Sequence, residues 1–234
     1  MSILKVVLLP VHPPKLHLLK KTLWSLSHVK GIHVKILCHR CSESEIADLK
    51  KYESFIGLLD ISNDNTDANL SVRLNRAKVG FGTKTVFYRL DAGDIIHIDR
   101  FSLFTEDEIL ITHHALIKYP NRFDVVKYRG LISQLFRNRL VHSSFIFSDS
   151  EYDEGVTLAQ DYVLSLFKIL VKKHTHINRI LVLKDMTQAG NTINNRRLSI
   201  KGTIYAKKKL LSKLVFVPSV LIDYIKLCLL KSRT

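Results

Sequence analysis

Between residues 3 and 90, short apolar and β-branched runs alternate with segments whose apolar residues recur at helical spacing, and this alternation constrains the fold most. It predicts strands over 3–11, 33–38 and 56–61, helices over 15–29, 43–54 and 68–79, and a further strand through Val86-Phe87-Tyr88 and Leu90. Strands and helices in this order build an α/β fold, with a mostly parallel central sheet, right-handed crossovers and helices on both flanks. Ligands of such sheets bind beyond the carboxyl ends of the strands. Farther along, 102–118 looks helical, short strands fall within 122–147, and a helix is expected from Gln160 to Lys172 with Asp161 in its first turn. A chain of 234 residues with 46% hydrophobic content buries a full core and is not of the disordered class. With no internal repeat or low-complexity linker, the expected organisation is one domain over 1–202 and a basic tail over 203–234.

The fourth expected strand runs into Arg89-Leu90-Asp91-Ala92-Gly93-Asp94, where Gly93 lets the chain turn sharply as it leaves the sheet. Two carboxylates at a rigid strand end supply hard oxygen ligands, a set suited to Mg²⁺ or Mn²⁺ held together with substrate phosphates. An isolated D-x-x-D is equally an acidic turn that caps the next element.

The surroundings single out the first alternative. The segment, with Arg100-Phe101 following, resembles the metal-binding strand end of family 2 glycosyltransferases, inverting nucleotide-sugar enzymes of GT-A fold, including those that build bacterial polysaccharide and lipopolysaccharide. Further segments match in order and spacing. Val6-Val7-Leu8-Leu9-Pro10-Val11-His12 looks like the family's first strand and Thr22-Leu23-Trp24-Ser25-Leu26 like the helix after it; Asn75-Arg76-Ala77 is similar to its A-L-N-x-G element. His142-Ser143-Ser144-Phe145-Ile146-Phe147 and Gln160-Asp161-Tyr162-Val163-Leu164 resemble its H-x-[ST]-x-[MI]-F and E-D-Y-x-L pair.

The resemblance implies that Asp91 and Asp94 hold the ion, and that Pro10, Val11, His12, Asn75, Arg89, Asp91 and Arg100 contact a nucleotide-sugar donor. It places His142 and Ser143 at a glycan or lipid-linked acceptor, with orientation of the metal or a purely structural place the alternatives for His142, and Asp161 as the general base that takes the acceptor's proton. Inversion requires that base to stand across the sugar from the leaving diphosphate. A first-turn acid also stabilises its own helix, which is the structural alternative for Asp161. Gln160 stands where the family usually has Glu, removing a neighbouring charge. Guanidinium forks match phosphate oxygens, so Arg89, Arg100 and Arg196-Arg197 are diphosphate candidates, with surface solvation the alternative for each and the favoured one for the last pair. One departure concerns the donor's base: where the family's second strand ends in D-[DG]-G-S, this chain has His39-Arg40-Cys41-Ser42. A different nucleotide-sugar, a pocket completed by Asp60 or Asp64, or loss of catalysis in a degenerate scaffold would each follow.

Lys+Arg number 36 against 21 Asp+Glu, a formal net charge of +15 that attracts polyanions. The cations crowd late, at Arg196-Arg197, Lys201, Lys207-Lys208-Lys209 and Lys213, interleaved with leucine and valine and interrupted by Pro218 and Asp223. That run is too broken to span a bilayer but suits the headgroup boundary of an anionic membrane, so a peripheral place on the cytoplasmic face of the membrane is expected. The alternative is a terminal helix pair packed on the domain. Nucleic acid is not an expected partner, because basic residues are not interleaved with exposed aromatics and no reading helix is recognisable. Cys38, Cys41 and Cys228 form no disulfide framework, and Cys38 and Cys41 are taken as close thiols rather than a redox pair. With no apolar leader segment apparent, a reducing cytosol is expected. His113-His114 and His174-Thr175-His176 are expected at surface helix and loop positions, without acidic partners for a metal.

Overall fold

The computed structural model describes residues 3–82, 84–103, 109–118, 122–130, 133–134, 142–146, 151–156, 160–171, 174–185, 196–210, 220 and 222–223. Strands β1 (Leu4–Val11), β2 (Ile32–His39), β3 (Leu59–Asp64) and β4 (Thr85–Arg89) form a parallel sheet in the order β3-β2-β1-β4, joined through helices α1 (Leu16–Ser27), α2 (Glu43–Lys50) and α3 (Leu70–Arg76). The expected α/β class and its alternation are present. β1 shows why the sheet is covered on both sides. Alternate residues point to opposite faces: Val7, Leu9 and Val11 pack in one core with Leu19, Leu23 and Leu26 of α1, whereas Val6 and Leu8 pack in the other with Leu74 of α3.

A second sheet carries the rest of the site. β5 (Asp94–Ile96), β6 (Ile109–Lys118), β7 (Arg122–Val126) and β9 (His174–Asp185) lie in the order β5-β9-β6-β7, and β8 (Phe145–Ile146) also pairs with β6. β6 runs parallel to β9, while the β5–β9, β6–β7 and β6–β8 pairs are antiparallel. Here two expectations are corrected. Residues 109–118 are a strand, not helix: Ile109 to Ala115 are all buried, so no polar face marks the strand's period of two, and the β-branched Ile109, Ile111 and Thr112 fit a doubly covered strand. His113, His114, His174 and His176 belong to β6 and β9 rather than to a surface helix and a loop. His113 Nδ1 meets His176 Nε2 at 3.1 Å and its Nε2 meets Asn178 at 2.8 Å, while burial holds His114 down at about 4.

Helix α4 (Gln160–Val171) sends Leu164 and Ile169 into the second core, and α5 (Arg196–Leu210) packs against α4, running across residue 203 where the tail was expected to begin. Lys207, assigned from sequence to a basic lipid-facing surface, is instead 1% exposed and 2.5 Å from buried Asp223. Residues 211–219, 221 and 224–234 lie outside the described residues, as do the side chains of Arg196, Arg197 and His142. Among the described residues no helix is long and apolar enough to cross a membrane.

Candidate active site at the carboxyl edge of the sheet

β4 delivers Arg89 and then Asp91 to the edge where parallel sheets bind ligands. The turn that follows is closed by reciprocal bonds: Asp94 N–H donates to the Asp91 carbonyl at 3.0 Å, and Asp91 N–H donates to Asp94 Oδ2 at 3.0 Å. Gly93 adopts φ +101°, which favours glycine, and a Cβ there would stand 3.3 Å from that of Asp185. Helix α1 holds the turn from behind, because buried Thr22 accepts the Gly93 N–H at 2.9 Å and buried Ser25 accepts the Ile96 N–H at 3.3 Å.

Around that turn charges converge from distant parts of the chain. Arg89, its side chain 8% exposed, donates through Nε and Nη2 to Asp91 Oδ1 at 3.3 and 3.2 Å and lies over the Tyr152 ring. Lys184 of β9 donates to Asp91 Oδ2 at 3.0 Å and approaches Asp94 Oδ1 at 3.5 Å. Asp161, opening α4, accepts from Tyr162 N–H at 2.8 Å; burial raises its carboxyl above the usual range, against the pull of nearby Arg89 and Lys184. Burial likewise raises Asp94, opposed by Lys184, and lifts the Tyr152 hydroxyl to about 12. Lys184 is driven up by Asp91, Asp94 and Asp161 despite its own desolvation, so it is held charged. Arg89, Asp91, Asp94, Tyr152, Asp161 and Lys184 are therefore one electrostatic unit, and three of them were expected to share a cleft from sequence alone.

The other expected residues divide. Pro10 and Val11 end β1 in register with Leu37 and Cys38, and half-buried His12 follows, its ring depressed by burial and by Lys15, His39 and Arg73. Arg100 does not face that edge: it is wholly buried, its Nε donates to the Ser143 carbonyl at 2.5 Å, its guanidinium lies over Tyr88, and desolvation lowers it to about 10. Ser143 is also wholly buried and its side chain neighbours Asp94, so both residues support the acidic turn from inside the protein. Asn75 clamps the backbone of Tyr152, accepting its N–H at 3.0 Å and donating to its carbonyl at 2.9 Å, beside a cleft of about 600 Å³.

Of the two acids named to complete a pocket beside the second strand, Asp64 lies at its carboxyl end. His39 pairs in register with Asp64, whose carboxyl is held low by its bonds to Thr66. Asp60 lies farther back, paired with Lys35 at 3.4 Å. Asp64 lines a second cleft, of about 220 Å³, with Ser62, Asn63, Arg73 and Arg76. Among the described residues, Nε and Nη1 of Arg73 are buried without a hydrogen-bond partner. Arg40 stands at φ +57° as the chain leaves β2, and Ser42 then opens α2 with a capping box to Glu45. Cys38 and Cys41 are both buried free thiols, and burial pushes Cys38 up to about 12, far from the range of a reactive thiolate.

The carboxylate pair has the donor chemistry for Mg²⁺ or Mn²⁺, but its arrangement does not fit an ion. Both oxygens of Asp91 accept from cationic side chains, and those of Asp94 face the Asp91 N–H and Lys184. Among the described residues, no group of three or more His, Cys, Asp or Glu is placed to hold a metal.

No family model and no curated protein matches the sequence. Solved structures do. S. aureus TarS 1–349 superposes with TM-score 0.65 at 12% identity, over 95% of this chain and 72% of that one, and has been crystallised with UDP and with UDP-GlcNAc. The mannosyltransferase PcManGT of Pyrobaculum calidifontis, in complex with GDP-Man and Mn²⁺, gives 0.61 at 10% identity over 95% and 69%. GalNAc-T7 with UDP, GalNAc and Mn²⁺ gives 0.62 at 11% over 88% and 48%. The chain spans 40% of a longer TarS structure. Likeness at these identities concerns architecture, and the architecture is that of the GT-A glycosyltransferases.

Proposed function

We propose that this chain is an inverting glycosyltransferase of the family 2 type, moving a sugar from a nucleotide-sugar to a glycan or lipid-linked acceptor. The observation that carries the reading is the convergence of Arg89, Asp91, Asp161 and Lys184 from β4, α4 and β9 on the carboxyl edge of a GT-A sheet. Carboxylates raised by burial and set among cations beyond the carboxyl ends of parallel strands mark the place where such a sheet binds a polar ligand. The nucleoside lies along β1 and β2, with Asp64 and Arg73 in place of the missing second-strand carboxylate, and the diphosphate points to the cations beside Asp91. Asp161 accepts the proton of the acceptor hydroxyl as its oxygen attacks the anomeric carbon. Burial suits it, since a carboxyl raised towards neutral pH is a stronger base than an exposed one. The expected Mg²⁺ or Mn²⁺ has no step in this mechanism, because the oxygens meant for it are engaged internally. Exposed Lys201 and Lys208 of α5 remain the proposed contact with an anionic membrane surface, where a lipid-linked acceptor is presented.

The test is incubation of the full chain with a panel of UDP-, GDP-, CMP- and dTDP-sugars, following nucleotide release. Release from one donor, lost in Asp161→Asn, is the expected result. Equal activity of Asp161→Asn and the wild type refutes the assigned base, and no nucleotide binding by any member of the panel refutes the enzyme.

A further inference from the structure

The role that the acidic strand end was expected to give a divalent ion falls to a side chain that no sequence motif marks. Lys184 stands directly opposite Asp94 in the antiparallel β5–β9 register, so backbone pairing delivers its ammonium to the carboxylate pair. It lies 3.0 Å from Asp91 Oδ2 and 3.5 Å from Asp94 Oδ1, bridging the two acids as a cation between them would. The side chains of Lys184 and Asp91 are 19% and 35% exposed, whereas Asp94 is closed off at 2%. The Lys184 side chain is thus not sealed from the sheet edge as that of Asp94 is. An ammonium has three N–H donors; Asp91 takes one, and Asp94 stands within ion-pair distance.

We propose that Lys184 is the cation that receives the donor's diphosphate, in place of a metal ion, and that Asp91 and Asp94 serve to hold it. The inference rests on the nucleotide-sugar reading above. In the transfer, the bond between the anomeric carbon and the β-phosphate oxygen breaks with its electron pair left on that oxygen, facing Lys184. The acceptor oxygen forms the new bond to the anomeric carbon, and its proton passes to Asp161. Arg89 adds a second cation on the same side, and among the described residues its buried Nη1 has no hydrogen-bond partner. A metal ion in addition would meet two cations at close range and would have to displace Lys184 from both acids.

The test is calorimetric titration of the full chain with UDP and GDP, in EDTA and in Mn²⁺, for the wild type, Lys184→Met and Lys184→Arg. The wild type should bind one of the nucleotides equally in both buffers. Lys184→Met should lose at least about tenfold in EDTA, the loss expected for a charge-assisted hydrogen bond, and recover in Mn²⁺ as the freed carboxylates take the ion. Lys184→Arg keeps the charge and should bind in EDTA, so a folding defect in the methionine variant does not decide the matter. Manganese paramagnetic resonance supplies the second readout, with ion binding appearing in Lys184→Met and abolished by adding Asp91→Asn. Tight Mn²⁺ binding by the wild type, lost in Asp91→Asn, overturns the assignment of Lys184 while leaving the glycosyltransferase reading intact. Failure of UDP and GDP to bind any form in either buffer, with the sugar panel also silent, overturns both.

Discussion

Thr22→Val should unsettle the acidic turn without touching a charged residue. Thr22 is wholly buried in α1 and its hydroxyl accepts the Gly93 N–H at 2.9 Å. Valine keeps the shape and removes the acceptor, so no cavity forms, but the Gly93 amide is left buried with no partner. An unsatisfied buried donor costs about 1–3 kcal/mol. For a chain of this size each kcal/mol shifts Tm by about 2–4 °C, so a fall between about 2 and 12 °C is expected. Urea unfolding followed by circular dichroism should show a lower midpoint with an unchanged slope, since the surface exposed on unfolding is the same. Thr22→Ser separates the hydrogen bond from packing, because it keeps the acceptor and loses only a methyl group. A valine variant within about 0.5 kcal/mol of the wild type, the scatter of neutral substitutions, refutes the bond. So does equal loss in the valine and serine variants. Nucleoside diphosphate affinity should fall with stability in Thr22→Val, as the turn that sets Asp91 and Asp94 loosens.

Turnover should climb with pH through the raised value of the Asp161 carboxyl and level off above it, because a base works only when ionised; Asp161→Asn should flatten the profile and cut kcat by roughly 10²–10⁴ with nucleotide affinity retained. The same group has the opposite sign in stability: the folded carboxyl holds its proton more tightly than the unfolded one, so stability falls as pH rises from the ordinary carboxyl value to the raised one, measurable against Asp161→Asn. Lys207→Met removes the cation paired with buried Asp223 and should cost about 3–5 kcal/mol in urea unfolding, whereas Lys207→Met with Asp223→Leu should recover most of it; no recovery refutes the pair as the source of the loss. The full chain should sediment with anionic but not neutral vesicles in low salt, and Lys201→Gln with Lys208→Gln should weaken this by about 1 kcal/mol per charge removed; unchanged binding refutes the proposed membrane contact.

Local chemistry determined the first sheet. β1 to β4 alternate with helices whose apolar stripes recur at helical spacing, and each of these signals is complete within about a dozen residues, so element order and the acidic strand end were legible in the chain itself. β6 was not, because burial on both faces erases the alternation that distinguishes a strand from a buried helix. Arg100 looked like a diphosphate contact because type and spacing say nothing of direction; packing turned it inward onto Tyr88 and Ser143. The chain by itself did not distinguish the positions of Asp60 and Asp64, which strand register sets beside Lys35 and His39 respectively. Lys184 carried no local signal at all. It stands 93 residues from Asp91 in a strand absent from the expected element order, and only the antiparallel pairing of β5 with β9 sets its ammonium between the two acids. Residue types and short-range periodicity thus determined the element order and the acidic strand end, whereas long-range strand pairing and packing decided which cations face those acids and which turn inward, because contact across a sheet depends on register and not on sequence distance.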